Sequence, residues 1–192
     1  MSEFIKDRLL SSADLFKRLA FDNELIDSFY KTLDVIVLSL KAGNKILIAG
    51  NGGSAADSIH FTAEMVGRFK KERDPLPCIA IVSNISNLTC IANDYSFDEV
   101  FARQIRALGN KADVFIGIST SGNSENVIRA CKVAKEIGIT VIGLTGRDGG
   151  RMKDYVDINL LVKENETPMI QEAHITILHS LAEEIEKRLF KD

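Results

Sequence analysis

This 192-residue chain has three prolines, three cysteines and no apolar run near the ~20 residues of a membrane span. So little proline beside a 45% apolar fraction excludes a disordered polymer and sets a soluble globular protein in its place. Cys78, Cys90 and Cys131 are widely spaced and form no C-x-x-C pair, so they read as buried small apolar residues in a reducing compartment, not as metal ligands. A formal net charge of −3 lacks the basic excess of a nucleic-acid surface. Charges at Glu3, Lys6, Asp7 and Arg8 sit where a secretory signal would be apolar, which makes the expected location cytoplasmic. There is no Walker lysine, no glycine triplet of the dinucleotide type, no internal repeat and no low-complexity tract.

What is present divides at Gly43. Before it, Phe4, Ile5, Leu9, Leu10, Leu15, Phe16 and Leu19 recur at helical spacing, and a second stripe runs through Leu25, Ile26, Phe29, Leu33, Ile36, Val37 and Leu40. Asp22 or Asn23 is the expected cap of that second helix. Residues 1–43 therefore read as a helical pair for packing or oligomer formation, part of the same unit as an α/β domain over 44–192. After Gly43, short apolar runs at 45–50, 78–82, 113–118, 140–144 and 156–161 alternate with helical patterns near 54–69, 84–92 with 97–108, 124–137 and 169–190, and with a short turn near 150–154. Strands alternating with helices predict a five-stranded parallel sheet covered on both faces. In the flavodoxin-like order 2-1-3-4-5, ligands bind at the crevice between strands one and three.

Two loops fall at that crevice. The run Val114–Ile118 ends in Ser119-Thr120-Ser121-Gly122-Asn123-Ser124 and then opens a helix. Small hydroxyls, backbone N–H groups and a helix N-terminus converge there in the form of a phosphate cradle, suited to a small phosphosugar. The other loop, after the first strand, is Asn51-Gly52-Gly53-Ser54.

The helix after that loop carries His60 and Glu64, whose i, i+4 spacing puts both on one face. The last helix carries Gln171, His174 and His179. At 100° per residue, Gln171 and His179 lie about 80° apart and can address a common point, whereas His174 is about 140° from His179 and faces elsewhere. Arg68 reads either as a charge partner for a phosphate or as an answer to its helix dipole.

The run Gly50–Asp57 with His60, Glu64 and Gly67-Arg68-Phe69, the run Ile118–Ser124 with Asn126-Val127, Leu144-Thr145-Gly146 with Gly149-Gly150, and Ile170–Ile175 with His179 together resemble the bacterial phosphoheptose isomerases of the sugar-isomerase (SIS) superfamily. The motifs occur in family order from residue 44 to 181, and the paired N-terminal helices match the family layout. The resemblance implies an aldose–ketose isomerase that converts sedoheptulose 7-phosphate to D-glycero-D-manno-heptose 7-phosphate, at the start of activated-heptose synthesis for lipopolysaccharide, capsule or other surface glycans. It implies Glu64 as the base at carbon and His179 as the general acid. It implies one Zn²⁺ per subunit on His60, Glu64, Gln171 and His179. It places Asn51, Gly52, Gly53, Asn93, Asp94 and Gln171 on the substrate, with phosphate held by Ser119, Thr120, Ser121 and Ser124. It further implies a homotetramer built through the N-terminal helices. Two other readings stand beside it: a non-catalytic SIS sensor or replication-initiator adaptor, and an isomerase or lyase for another phosphosugar. The joint presence of His60, Glu64, Gln171 and His179 favours chemistry over sensing, and no helix-turn-helix pattern accompanies them.

Overall fold

The apolar runs after Gly43 form five parallel strands: β1 (Ile46–Ala49), β2 (Cys78–Ala80), β3 (Val114–Ser119), β4 (Thr140–Gly146) and β5 (Ile158–Val162). Their order across the sheet is β2-β1-β3-β4-β5, as expected, and Ile46 pairs with Cys78 on one side and Val114 on the other. The computed structural model describes residues 3–190, so the outermost two residues at each end of the expected division lie outside it. The helices are α1 (Phe4–Leu19), α2 (Asn23–Lys41), α3 (Gly53–Val66), α4 (Ile85–Asp94), α5 (Ala102–Leu108), α6 (Glu125–Ile137) and α7 (Thr167–Leu189). Single 3-10 segments cover Phe97–Glu99 and Gly150–Tyr155. Among the described residues, no helix is long and apolar enough to cross a membrane.

Every residue of β1 and β3 is buried, because helices cover both sheet faces. The strand period of two sorts their side chains between the two cores. Ile46 and Ile48 join Leu33, Ile36, Phe61, Met65, Leu178 and Leu181 from α2, α3 and α7. Leu47 and Ala49 face the other way, toward Ile105, Val127, Ile128 and Cys131 from α5 and α6. Asp22 is the cap of α2, where its Oδ1 accepts from the Leu25 N–H at 3.1 Å. Along α1, Leu15 is buried but Phe4, Ile5, Leu9 and Leu10 are exposed, so half of that apolar stripe has no cover within the chain.

Two expectations need correction. Cys78 and Cys131 are buried, and burial pushes each thiol up to about 12, but Cys90 is exposed. It lies on the outer side of α4, a helix that buries only Ile91. The helix expected over 54–69 stops at Val66, since Gly67 closes it and the Arg73 guanidinium takes the carbonyls of Glu64, Met65 and Gly67.

His174 turns inward from α7, away from the crevice side chains, as its helical angle predicts. It is fully buried, and its Nε2–H donates to the Thr145 carbonyl at 3.1 Å, which ties α7 to the end of β4. Burial lowers its pKa to about 4, against the opposing pull of that carbonyl. The unfolded chain takes up a proton near pH 6.5 that the folded chain refuses until about pH 4, so stability falls as pH drops through that window. The loss across the window is on the order of 3 kcal/mol. Denaturant unfolding of wild type and His174→Gln at pH 7 and pH 4.5 should show the wild type losing the larger share.

Candidate active site

The crevice arises because the chain leaves β1 and β3 toward opposite faces: α3 packs with the first core and α6 with the second. After β1, Gly52 adopts φ +57 and ψ −121, a conformation that a side chain disfavours, and this turn directs the chain into α3. The Ser54 N–H closes the turn on the Asn51 carbonyl at 3.0 Å. After β3, Gly122 takes φ +64 and its N–H donates to the Ser119 carbonyl at 3.0 Å, which folds the hydroxyl run back over the strand end. The Ser119 and Ser124 hydroxyls meet at 3.0 Å, and the Ser121 hydroxyl accepts from the Asn123 N–H at 3.2 Å. Ser124 therefore caps α6 while its hydroxyl faces the strand end instead of the helix's own N–H groups. Thr120 and Ser121 are half-buried.

A reciprocal amide pair links the two loops. Asn51 Nδ2 donates to Asn126 Oδ1 and Asn126 Nδ2 donates to Asn51 Oδ1, each at 2.9 Å. Asn126 is buried, and its Oδ1 also accepts from the Val127 N–H at 2.9 Å. Sequence reading quoted Asn126 only as part of a motif. The signal that could have found its role was an amide on the first turn of α6, facing a second amide across the crevice.

α3 and α7 both start at the carboxyl edge of the sheet and run in the same direction, which sets their side chains in register. Gln171 packs on Gly53 so closely that a Cβ there would lie 2.8 Å from the Gln171 carboxamide carbon. Seven residues further along α3 and eight along α7, His60 meets His179. Their Nε2 atoms are 3.4 Å apart, with the rings edge to face, and His60 Nε2 lies 3.1 Å from Glu64 Oε1. Phe69 stacks on His179, centroids 5.5 Å apart and planes inclined by 23°. Burial lowers the His179 pKa, and the nearby His60 adds to this while Glu64 opposes it.

The donor atoms of His60, Glu64 and His179 all lie within 4.8 Å of one another. A tetrahedral ion with bonds of about 2.1 Å sets its ligand atoms about 3.4 Å apart, so two imidazoles and a carboxylate at these spacings fit a divalent transition-metal ion. Asp57, one turn before His60, keeps its Oδ2 buried without a hydrogen-bond partner, and burial raises its carboxyl while His60 opposes the rise. Three of the four expected ligands are thus together. Gln171 has its amide at Gly53, about 10 Å along the α3 axis from His60.

Asn93 and Asp94 are exposed at the end of α4, where Asn93 Nδ2 donates to Asp94 Oδ1 at 2.9 Å. Arg68 is exposed and lies 3.6 Å from Glu72, a solvated helix-end pair.

The crevice depends on its amide link. Asn126→Ala removes both bridging bonds and strands the Val127 N–H, a loss of about 1–3 kcal/mol. Chemical denaturation should show that loss, and amide hydrogen exchange should quicken in both the 51–54 and 119–124 loops. Faster exchange in only one loop would mean that the pair does not couple them.

A SIS-domain family model matches residues 12–146. The phosphoheptose isomerase of Clostridium acetobutylicum is 47% identical over 190 residues, covering 99% of this chain and 97% of that protein. The phosphoheptose isomerase of Aliarcobacter butzleri is 50% identical over 188 residues, covering 98% of each. Among solved structures, the phosphoheptose isomerase of Neisseria gonorrhoeae superposes with a TM-score of 0.91 at 40% identity, covering 96% of this chain and 98% of that one.

Proposed function

The chain belongs to the phosphoheptose isomerases of the SIS-domain family, and on that premise we propose that it converts sedoheptulose 7-phosphate to D-glycero-D-manno-heptose 7-phosphate. The observation that carries the chemistry is the meeting of His60, Glu64 and His179 at one point across two helices. A sensor or adaptor has no use for a base, an acid and a metal-ready donor set together, and the full-length relatives are isomerases by name.

The reaction moves one proton from C1 to C2 and one from O1 to O2, through a 1,2-enediolate. Glu64 takes the C1 proton and returns it to C2. Its Oε1 faces His60, which leaves Oε2 for the carbon acid. His179 takes the proton from O1 and delivers one to O2. The 119–124 hydroxyls and the α6 N-terminus hold the phosphate, and Asn51, Gly52, Gly53 and Gln171 line the sugar end, with Asn93 and Asp94 assigned to substrate by resemblance alone. A bound zinc ion would be held by His60, Glu64 and His179, with Gln171 as fourth ligand by resemblance, and would supply Lewis-acid stabilisation of negative charge on oxygen.

The remaining parts of the reading concern context. The exposed Phe4, Ile5, Leu9 and Leu10 support burial of residues 1–43 in a homotetramer. The product feeds activated-heptose synthesis in the cytoplasm, for lipopolysaccharide or capsule.

Turnover of sedoheptulose 7-phosphate, followed by NMR on metal-stripped protein before and after zinc addition, tests this function. Aldoheptose should form, depend on zinc, and fall by about 10²–10⁴-fold in His179→Gln. Product without zinc dependence would remove the metal from the mechanism. No product from folded, zinc-loaded protein would remove the isomerase.

A further inference from the structure

Seven residues beyond His179 on α7, two turns along the same face, Glu186 is buried in a place where a carboxylate needs strong partners. It has four. Oε1 accepts from the Phe69 N–H at 2.8 Å and from Arg73 Nε at 3.1 Å. Oε2 accepts from the Lys70 and Lys71 N–H groups at 2.9 and 3.1 Å. The Arg73 side chain is equally buried. Its Nη1 donates to the carbonyls of Met65, Gly67 and Asp74 at 2.7, 3.1 and 3.0 Å, and its Nη2 to that of Glu64 at 2.7 Å. The Glu64, Met65 and Gly67 carbonyls lie at the end of α3, where helical partners run out, and the guanidinium charge complements the negative end of the α3 dipole.

A buried ion pair stabilises little beyond what well-packed apolar side chains would give, so stability alone is a weak reason for this one. Its reach supplies a better reason. One end of the network holds the backbone of Phe69, whose ring stacks on His179. The other end holds the backbone of Glu64 itself. We infer that Glu186 and Arg73 are positioning residues for the isomerase centre, fixing through the 67–73 loop both the ring that braces His179 and the helix turn that carries Glu64. The inference rests on the isomerase reading for its kinetic consequences, but not for its geometric ones.

The control is Asp113, a buried carboxylate just before β3 whose partners include none of the site residues. It accepts from the N–H groups of Lys45 and Asn110 and pairs with Lys45 Nζ at 2.6 Å. Glu186→Gln and Asp113→Asn should both lower the melting temperature. Only Glu186→Gln should lower kcat, by tenfold or more, with KM within threefold of wild type. Phe69→Leu defines the ring-current shift that Phe69 imposes on the His179 ring protons. In Glu186→Gln those NMR resonances should move toward their Phe69→Leu positions. If Glu186→Gln does not fold, Arg73→Lys is read in the same way, since it keeps a charge but loses the fork over the α3 carbonyls. Unmoved His179 resonances with wild-type kcat would overturn the inference, as would equal kcat losses in the Glu186 and Asp113 variants. Should wild type fail to turn over the heptose phosphate, the isomerase reading falls and the resonance shifts alone decide the positioning role.

Discussion

The register between α3 and α7 is the constraint on which the site depends. Both helices leave the same edge of a wholly parallel sheet, so they climb side by side at the same rise per residue. Gly53 faces Gln171 at one level, and His60 faces His179 two turns on. A slip of one residue on either helix would rotate a ligand by about 100° and part the imidazoles. At the start of the helices the Gln171 amide rests on Gly53, so a larger residue at 53 would displace that side chain. At their far end, the Glu186 carboxylate takes three consecutive N–H groups of the loop that leaves α3.

The crevice loops are fixed by a different means. There the backbone turns at Gly52 and Gly122, both at positive φ, and the Asn51–Asn126 amides hold one turn against the other. The result separates two tasks in space. Hydroxyls and a helix N-terminus at the β3 end suit an anion, while the imidazole and carboxylate groups deeper along α3 and α7 suit proton transfer and a metal.

Much of this was legible in the sequence. Strand order followed from apolar runs broken by helical periods, and the 100° rule set His174 apart from His179, which its burial against Thr145 bears out. His60, Glu64 and His179 came from helix spacing together with family resemblance, and the structure brings them together. Other features had no local signal. Glu186 and Arg73 are 113 residues apart, and each looks like one more surface charge in a charged segment. Asn51 and Asn126 are 75 residues apart, the one reading as a turn residue and the other only as part of a motif. Helical angle put Gln171 on the face of His179, but only the structure shows its amide resting on Gly53. Cys90 was taken for a buried residue because composition cannot distinguish the outer side of a helix from its inner side.

The most direct test of the shared centre is deuterium uptake during turnover of sedoheptulose 7-phosphate in D₂O, with wild type set beside Glu64→Gln. If Glu64 carries the proton between carbons, the wild-type aldoheptose acquires solvent deuterium at C2. Folded, metal-loaded Glu64→Gln should then form neither product nor deuterated substrate. Deuterated product from Glu64→Gln at a rate near wild type would contradict the account, because the carbon acid would then be meeting a base that lies outside the α3–α7 register.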